Sequence, residues 1–149
     1  MDKTDKLILK ELSENARVTA SEIAPGIGLS VQSVNKRIAK MKENGQIRKF
    51  TVKTDSKLVG KPLTAFLYVF LEDFESEQAF LEYIGNDPDF IECFSISGEY
   101  DYLIKVTAES MEDYDQKIHT MKFKYGIVKS MTHFCTREVF DKVTVMPAQ

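Results

Sequence analysis

Between Ser30 and Lys42 the chain carries Lys36, Arg37, Lys40 and Lys42 and no acidic residue, with Gln32, Ser33 and Asn35 interleaved. Side chains of these types suit a polymer of phosphates and bases: cations neutralise phosphates, while amides and hydroxyls bond to base edges. A solvated basic face on a small helical bundle would have the same composition. A second stretch, Gly98-Glu99-Tyr100-Asp101, has the chemistry to hold an amino acid. Glycine lets backbone N–H groups approach a carboxylate, and Asp101 offers an acceptor and counter-charge for an α-ammonium. Gly and Asp equally favour a tight hairpin turn, so the residues alone leave both readings open.

The basic run needs a helix to present it. Val31, Val34, Ile38 and Met41 recur at steps of three and four, predicting a helix from an N-cap at Ser30 to about Asn44. Leu29 can staple onto Val34, and Asn44-Gly45 supplies a left-handed cap. Upstream, Thr19-Ala20-Ser21-Glu22 has the form of a capping box, opening a helix through Ile23 and Ala24 that Pro25-Gly26 truncates or kinks. Before it, Thr4 caps a helix over Lys6–Ser13 whose apolar stripe includes Ile8 and Leu12. Gln46–Lys53 reads as a short strand leading out. Two helices joined by a glycine-containing turn, the second rich in Lys, Arg, Asn, Gln and Ser, follow helix-turn-helix logic.

From residue 63 the periodicity changes. Leu63–Glu72, Ile91–Ser97, Tyr102–Thr107 and Ile127–Val139 read as strands. Ser76–Gly85, with Phe80, Tyr83 and Ile84 on one face, and Ser110–Lys124, with Tyr114, Ile118 and Met121, read as helices. The order β-α-β-β-α-β is that of the ferredoxin-like split motif. The fold class is α+β: a helix-turn-helix domain over 1–50, a connector over 51–62 and a ferredoxin-like domain over 63–149. That motif sets both helices on one sheet face. Leu63–Phe70 is apolar on both faces, so the other face also needs cover, which a second copy of the sheet would supply.

The formal charge of -3 hides an asymmetry. Residues 1–50 hold ten Lys+Arg against six Asp+Glu, +4, and residues 51–149 hold ten against seventeen, -7. Charge per domain is therefore compatible with nucleic acid at the N-terminal end. No stretch approaches the ~18 consecutive apolar residues of a membrane helix, and the opening Met-Asp-Lys-Thr-Asp-Lys has no apolar signal core. These features imply a cytoplasmic chain with no membrane partner.

Metal and catalytic chemistry find little support. His133-x-Cys135 places two possible zinc ligands on one strand face, but a zinc site needs three or four. With strand order 4-1-3-2, Cys93 and Cys135 fall on opposite edges, roughly 14 Å apart and beyond the ~7 Å reach of a disulfide. His119 has no nucleophile nearby in sequence, and no nucleophile elbow, phosphate loop or paired-carboxylate motif occurs. The reading is a non-enzyme with no metal and no cofactor.

Asp5-x-x-Ile8-Leu9, Asn15-Ala16-Arg17, Glu22-Ile23-Ala24, Gly28-Leu29-Ser30, Val34-x-x-Arg37-Ile38 and Asn44-Gly45-x-Ile47 together resemble the leucine-responsive and asparagine-responsive (Lrp/AsnC) regulator family. Gly98-Glu99-Tyr100-Asp101-Tyr102 resembles that family's effector loop, and Gly126-Ile127 with Ser130 and Thr132 its last strand. The sequence departs from the family pattern at Pro25-Gly26, at Lys124-Tyr125 and at Ser130. The resemblance implies a prokaryotic, nucleoid-associated transcription regulator with a winged-type helix-turn-helix domain and a ferredoxin-like (RAM/ACT-like) effector-sensing domain. It implies that the third helix reads double-stranded DNA, with Ser30, Gln32, Ser33, Asn35 and Lys36 in direct contact and Lys40 on phosphate. Arg37 has two readings, phosphate contact or an ion pair with an acid such as Asp5. The effector residues it implies are Gly98, Tyr100, Asp101 and Thr132, for an amino acid or related small molecule acting on a homodimer that assembles to an octamer. The alternative is an architectural DNA-binding protein of the same fold without an effector; a metabolic or ligand-binding module is a third class.

Overall fold

The computed structural model describes residues 1–72, 75–142 and 144–148. These form two compact units: Met1–Lys53 together with the described residues of 140–149, and Thr54–Val139. The sequence division runs the second domain to 149, whereas the described residues after 139 group with the first unit. Two contacts illustrate this: Lys6 donates to the Ala148 carbonyl, and Lys53 pairs with Asp141 at 2.5 Å.

The first unit contains α1 (Lys3–Glu14), α2 (Ala20–Ile27) and α3 (Val31–Glu43). Asp2, not Thr4, caps α1. Its carboxylate accepts from Asp5 N–H at 2.8 Å while Asp5 accepts from Asp2 N–H at 3.2 Å, a reciprocal box that starts the helix three residues early. Thr19 and Glu22 form the second box as the sequence predicts. Pro25 lies inside α2 without ending it. The bond forfeited is the one to the Ser21 carbonyl, and both residues are exposed, so water can replace it. Gly28, at φ 66, ends the helix, and Leu29 N–H closes back on the Ala24 carbonyl at 3.1 Å. Ile8, Leu12, Ile23, Ala24, Val34 and Met41 are buried together, with Ile38 and Ile47 packed against them. Each of the larger side chains contributes about 1.5–3 kcal/mol by leaving water. Residues 46–53 are irregular rather than a strand, since in this unit they pair with no other extended segment among the described residues.

The second unit is a four-stranded antiparallel sheet of β1 (Leu63–Leu71), β2 (Phe90–Ser95), β3 (Tyr102–Ala108) and β4 (Ile127–Phe134), in the order β2-β3-β1-β4. The helices α4 (Glu75–Asn86) and α5 (Met111–Lys124) supply Phe80, Ile84, Tyr114, Ile118 and Met121 to a core with Leu67, Val69, Ile104 and Val106. β4 stops five residues before the predicted Val139. Along β1, Ala65, Leu67, Val69 and Leu71 are buried while Thr64, Phe66, Tyr68 and Phe70 alternate to the opposite face. That opposite face also presents Met131, beside Tyr68, and Leu103 beside Phe94.

At one end of this core Asp89, only 6% exposed, joins Lys61 at 3.0 Å and Lys117 at 2.9 Å. Burial alone would raise its carboxyl, but the two ammonium groups outweigh it and hold the group below its ordinary value. Cys93 and Cys135 are free thiols. No helix among the described residues is long and apolar enough to cross a membrane.

Candidate nucleic-acid interface and effector loop

The presentation of α3 follows from its caps and its stripe. Ser30 accepts from Ser33 N–H at 3.2 Å, and the two hydroxyl oxygens lie 2.9 Å apart, so both serines tie down the first turn. Val34 and Met41 anchor the helix in the core. That rotation leaves Gln32, Asn35, Lys36 and Lys40 exposed, and Ser33 half-buried. Val31, which the periodicity assigns to the buried stripe, is instead 41% exposed, because the core ends one turn short of it.

Arg37 behaves differently from its basic neighbours. Its Nη1 lies 2.6 Å from Asp2 and 2.7 Å from Asp5, spanning α3 to the start of α1. Its hydrogen bonds to these carboxylates, Asp2 before Asp5, raise the guanidinium above its ordinary value. Asp2 is lowered in turn, first by the Asp5 backbone and then by Arg37. Of its two sequence readings, Arg37 thus has the ion pair within the unit, with Asp5 as expected and with Asp2 in addition.

Three further cations lie near α3 that the sequence reading did not name as contact residues. Lys42 lies on its last turn, its ammonium 6.0 Å from the Phe50 ring centre, and Arg48 and Lys49 follow on the irregular segment, all three exposed. Lys42 closes the basic run already read from the sequence, and Arg48 and Lys49 would have been legible as its continuation past Glu43 and Gly45.

The four residues expected from the sequence to meet an effector do not form one cluster. Gly98, Tyr100 and Asp101 lie on the β2–β3 loop, where Gly98 takes φ 119 with open space where a Cβ would stand. Its glycine serves the backbone turn. Asp101 uses one carboxylate oxygen to accept Leu71 N–H at 2.9 Å, and its own N–H donates to the Val69 carbonyl at 2.9 Å. The Tyr100 ring lies 5.5 Å from that of Tyr68, and Lys129, paired with Glu99, stands 5.0 Å over it. Thr132 sits on the other face: it opposes buried Leu67 and shares a hydrogen bond of 2.6 Å with the Tyr114 hydroxyl on α5. Among the described residues no group of three His, Cys, Asp or Glu could hold a metal ion.

Residues 1–48 match the family model for winged helix-turn-helix DNA-binding, and residues 64–145, over half of the chain, match that for the Lrp/AsnC ligand binding domain. The chain belongs to the Lrp/AsnC family. The transcriptional regulator AzlB of Bacillus subtilis is 36% identical over 116 residues, covering 76% of this chain and 74% of that protein. The regulator LrpB of the same organism is 32% identical over 85% of this chain and 83% of its own length. Among solved structures, an AsnC family regulator from Agrobacterium tumefaciens matches with a TM-score of 0.88 at 27% identity, over 97% of this chain and 96% of its own. A transcriptional regulator from Neisseria meningitidis, solved in complex with L-Met, shares the fold at a TM-score of 0.90 and 24% identity, over 97% and 96% of the two chains. This Lrp/AsnC member is accordingly a DNA-binding transcriptional regulator with a ligand-binding domain, and α3 occupies the second-helix position of its helix-turn-helix.

Proposed function

We propose that this Lrp/AsnC regulator binds double-stranded DNA as a homodimer, with α3 in the major groove, and that an amino acid or related effector changes its assembly or its DNA affinity. The observation that carries the DNA geometry is α3 itself. Four cations and no acid lie between Ser30 and Lys42, and Gln32, Asn35, Lys36 and Lys40 all face solvent. In this reading Gln32, Asn35 and Lys36 approach bases, Ser30 and Ser33 hold the first turn against the groove, and Lys40 meets phosphate. A dimer presents two such helices to half-sites about one DNA turn, or a multiple, apart. Mobility shifts over a salt series test this. Lys36→Ala with Lys40→Ala weakens binding and flattens the slope by about 0.9 for each phosphate that is no longer neutralised. Wild type without salt-sensitive DNA binding defeats the reading.

For the effector we assign the loop face of Gly98, Tyr100 and Asp101, at a contact between dimers, in an assembly of up to four dimers. A ligand bound there shifts the assembly only through differential affinity for its arrangements. The reading is supported by the match to the ligand binding domain and by a protein of this fold holding L-Met. Thr132, on the helix face, would act only through Tyr114. Titration calorimetry with a panel of amino acids tests the loop: Asp101→Asn keeps an acceptor for Leu71 N–H but loses the counter-charge, so binding weakens at least tenfold. Binding undiminished in Asp101→Asn removes the loop from the site. A second reading, a DNA-binding protein of the same fold without effector, is favoured by the use of the Asp101 carboxylate within its own loop; it predicts no heat with any amino acid. Both readings place the protein in the cytoplasm and give it no catalytic role.

A further inference from the structure

The exposed side of α3 is not uniform. The row Val31, Asn35 and Ala39, at steps of four, is exposed and uncharged, whereas Lys36 and Lys40 stand on the neighbouring row. Glu43, the first acid of the helix, appears only in the last turn. Charge of this pattern favours entry by the N-terminal half, with cations toward a phosphate strand and the uncharged row toward the groove floor. A single exposed valine is ordinary on a protein surface. Val31 differs because it is 41% exposed at the first helical position, beside Gln32 and one turn before Asn35, on the part of α3 that approaches bases. Its β-branched side chain is rigid and has no polar atom. The feature in the major groove that such a group can recognise is the 5-methyl of thymine.

We infer that Val31 is a specificity-determining residue that packs on a thymine methyl in each half-site, with Asn35 bonding the N6 and N7 edge of an adenine from the same row. This rests on the DNA-binding reading above. Four residues of helix rise span ~6 Å, roughly two base-pair steps of 3.4 Å, so the two contacted pairs are about two steps apart. Ala39, the next in the row, is small enough to let the helix lie close to the groove floor.

The test uses the full chain and DNA that it selects from a random duplex pool. Each thymine of the selected site is replaced in turn by deoxyuridine, which lacks only the methyl. Wild type loses roughly three- to fivefold in affinity at one position per half-site, the worth of burying one methyl. Val31→Ala, which improves helix propensity, binds the thymine site more weakly by a similar factor and is indifferent to deoxyuridine at that position. Wild type indifferent to every replacement, or Val31→Ala still penalised at the same position, overturns the assignment while leaving DNA binding intact. A chain that selects no DNA overturns both this assignment and the reading beneath it.

Discussion

Arg37 and Asp89 show how ionisable residues of this chain divide between holding the fold and facing a partner. Arg37 belongs to a basic run, yet it spends its charge on Asp2 and Asp5. Three residues after Val34 and four before Met41, it borders the buried stripe as Lys36 and Lys40 do not, but its pairing with Asp2 as well as Asp5 depends on where α1 begins, which the Asp2 cap decides. Asp89 is the reciprocal case, an acid that sequence reasoning left unmentioned and that the fold places between Lys61 and Lys117. Its carboxyl is lowered in the folded chain, so its contribution to stability is present above the ~3.9 of an unfolded Asp and disappears as pH falls through the lower folded value. Asp89→Asn should cost about 2 kcal/mol at neutral pH, a hydrogen-bonded charge removed from between two cations. Chemical denaturation at pH 7 and below pH 4 checks this: the difference between wild type and variant shrinks on the acid side.

At the scale of elements, helix starts were legible wherever a hydroxyl or carboxylate stood three residues before its partner. Thr19 with Glu22 and Ser30 cap helices as expected, and Ser110, read from the sequence as the first residue of a helix, caps α5 instead. Thr4 was the exception, because Asp2 with Asp5 offers a reciprocal pair and Thr4 does not. The βαββαβ order and the apolar second face of β1 followed from hydrophobic period, and the strand neighbours from the ferredoxin-like motif which that order matches. The predicted strand over 46–53 did not form, since a β-rich composition cannot specify a pairing partner. The effector residues were legible as a motif but not as a site: strand parity sends Thr132 toward α5 and leaves Tyr100 on the opposite face. In the turn between α2 and α3, Gly28 needs a positive φ of 66 and has free space around it, so conformation alone restricts it. Gly28→Ala should therefore lower stability by about 1–2 kcal/mol, read by denaturant titration of the first unit's helical signal.

Across the whole molecule, the charge asymmetry and the uncovered sheet face carry complementary expectations. An excess of positive charge over 1–50 and of negative charge over 51–149 makes the first region the one that DNA attracts. Phe66, Tyr68, Phe70, Phe94, Leu103 and Met131 form an apolar sheet face on the second unit, which we assign to a second copy. Tyr68→Asp puts an unpaired charge at the centre of that face, and sedimentation velocity should then show monomer where wild type shows dimer or larger. A dimer persisting in Tyr68→Asp would move the interface elsewhere.

The grouping of the described residues after 139 with Met1–Lys53 also sets an order of events during synthesis. The three helices leave the ribosome before the 54–139 unit, and the segment bearing Asp141 and Ala148 emerges after it. At 5–20 residues per second, that interval is on the order of ten seconds. Over that time the helical unit lacks two of its partners, Ala148 for Lys6 and Asp141 for Lys53. A chain stalled before residue 140 would therefore present α1 to α3 without the contacts that Ala148 and Asp141 make to Lys6 and Lys53.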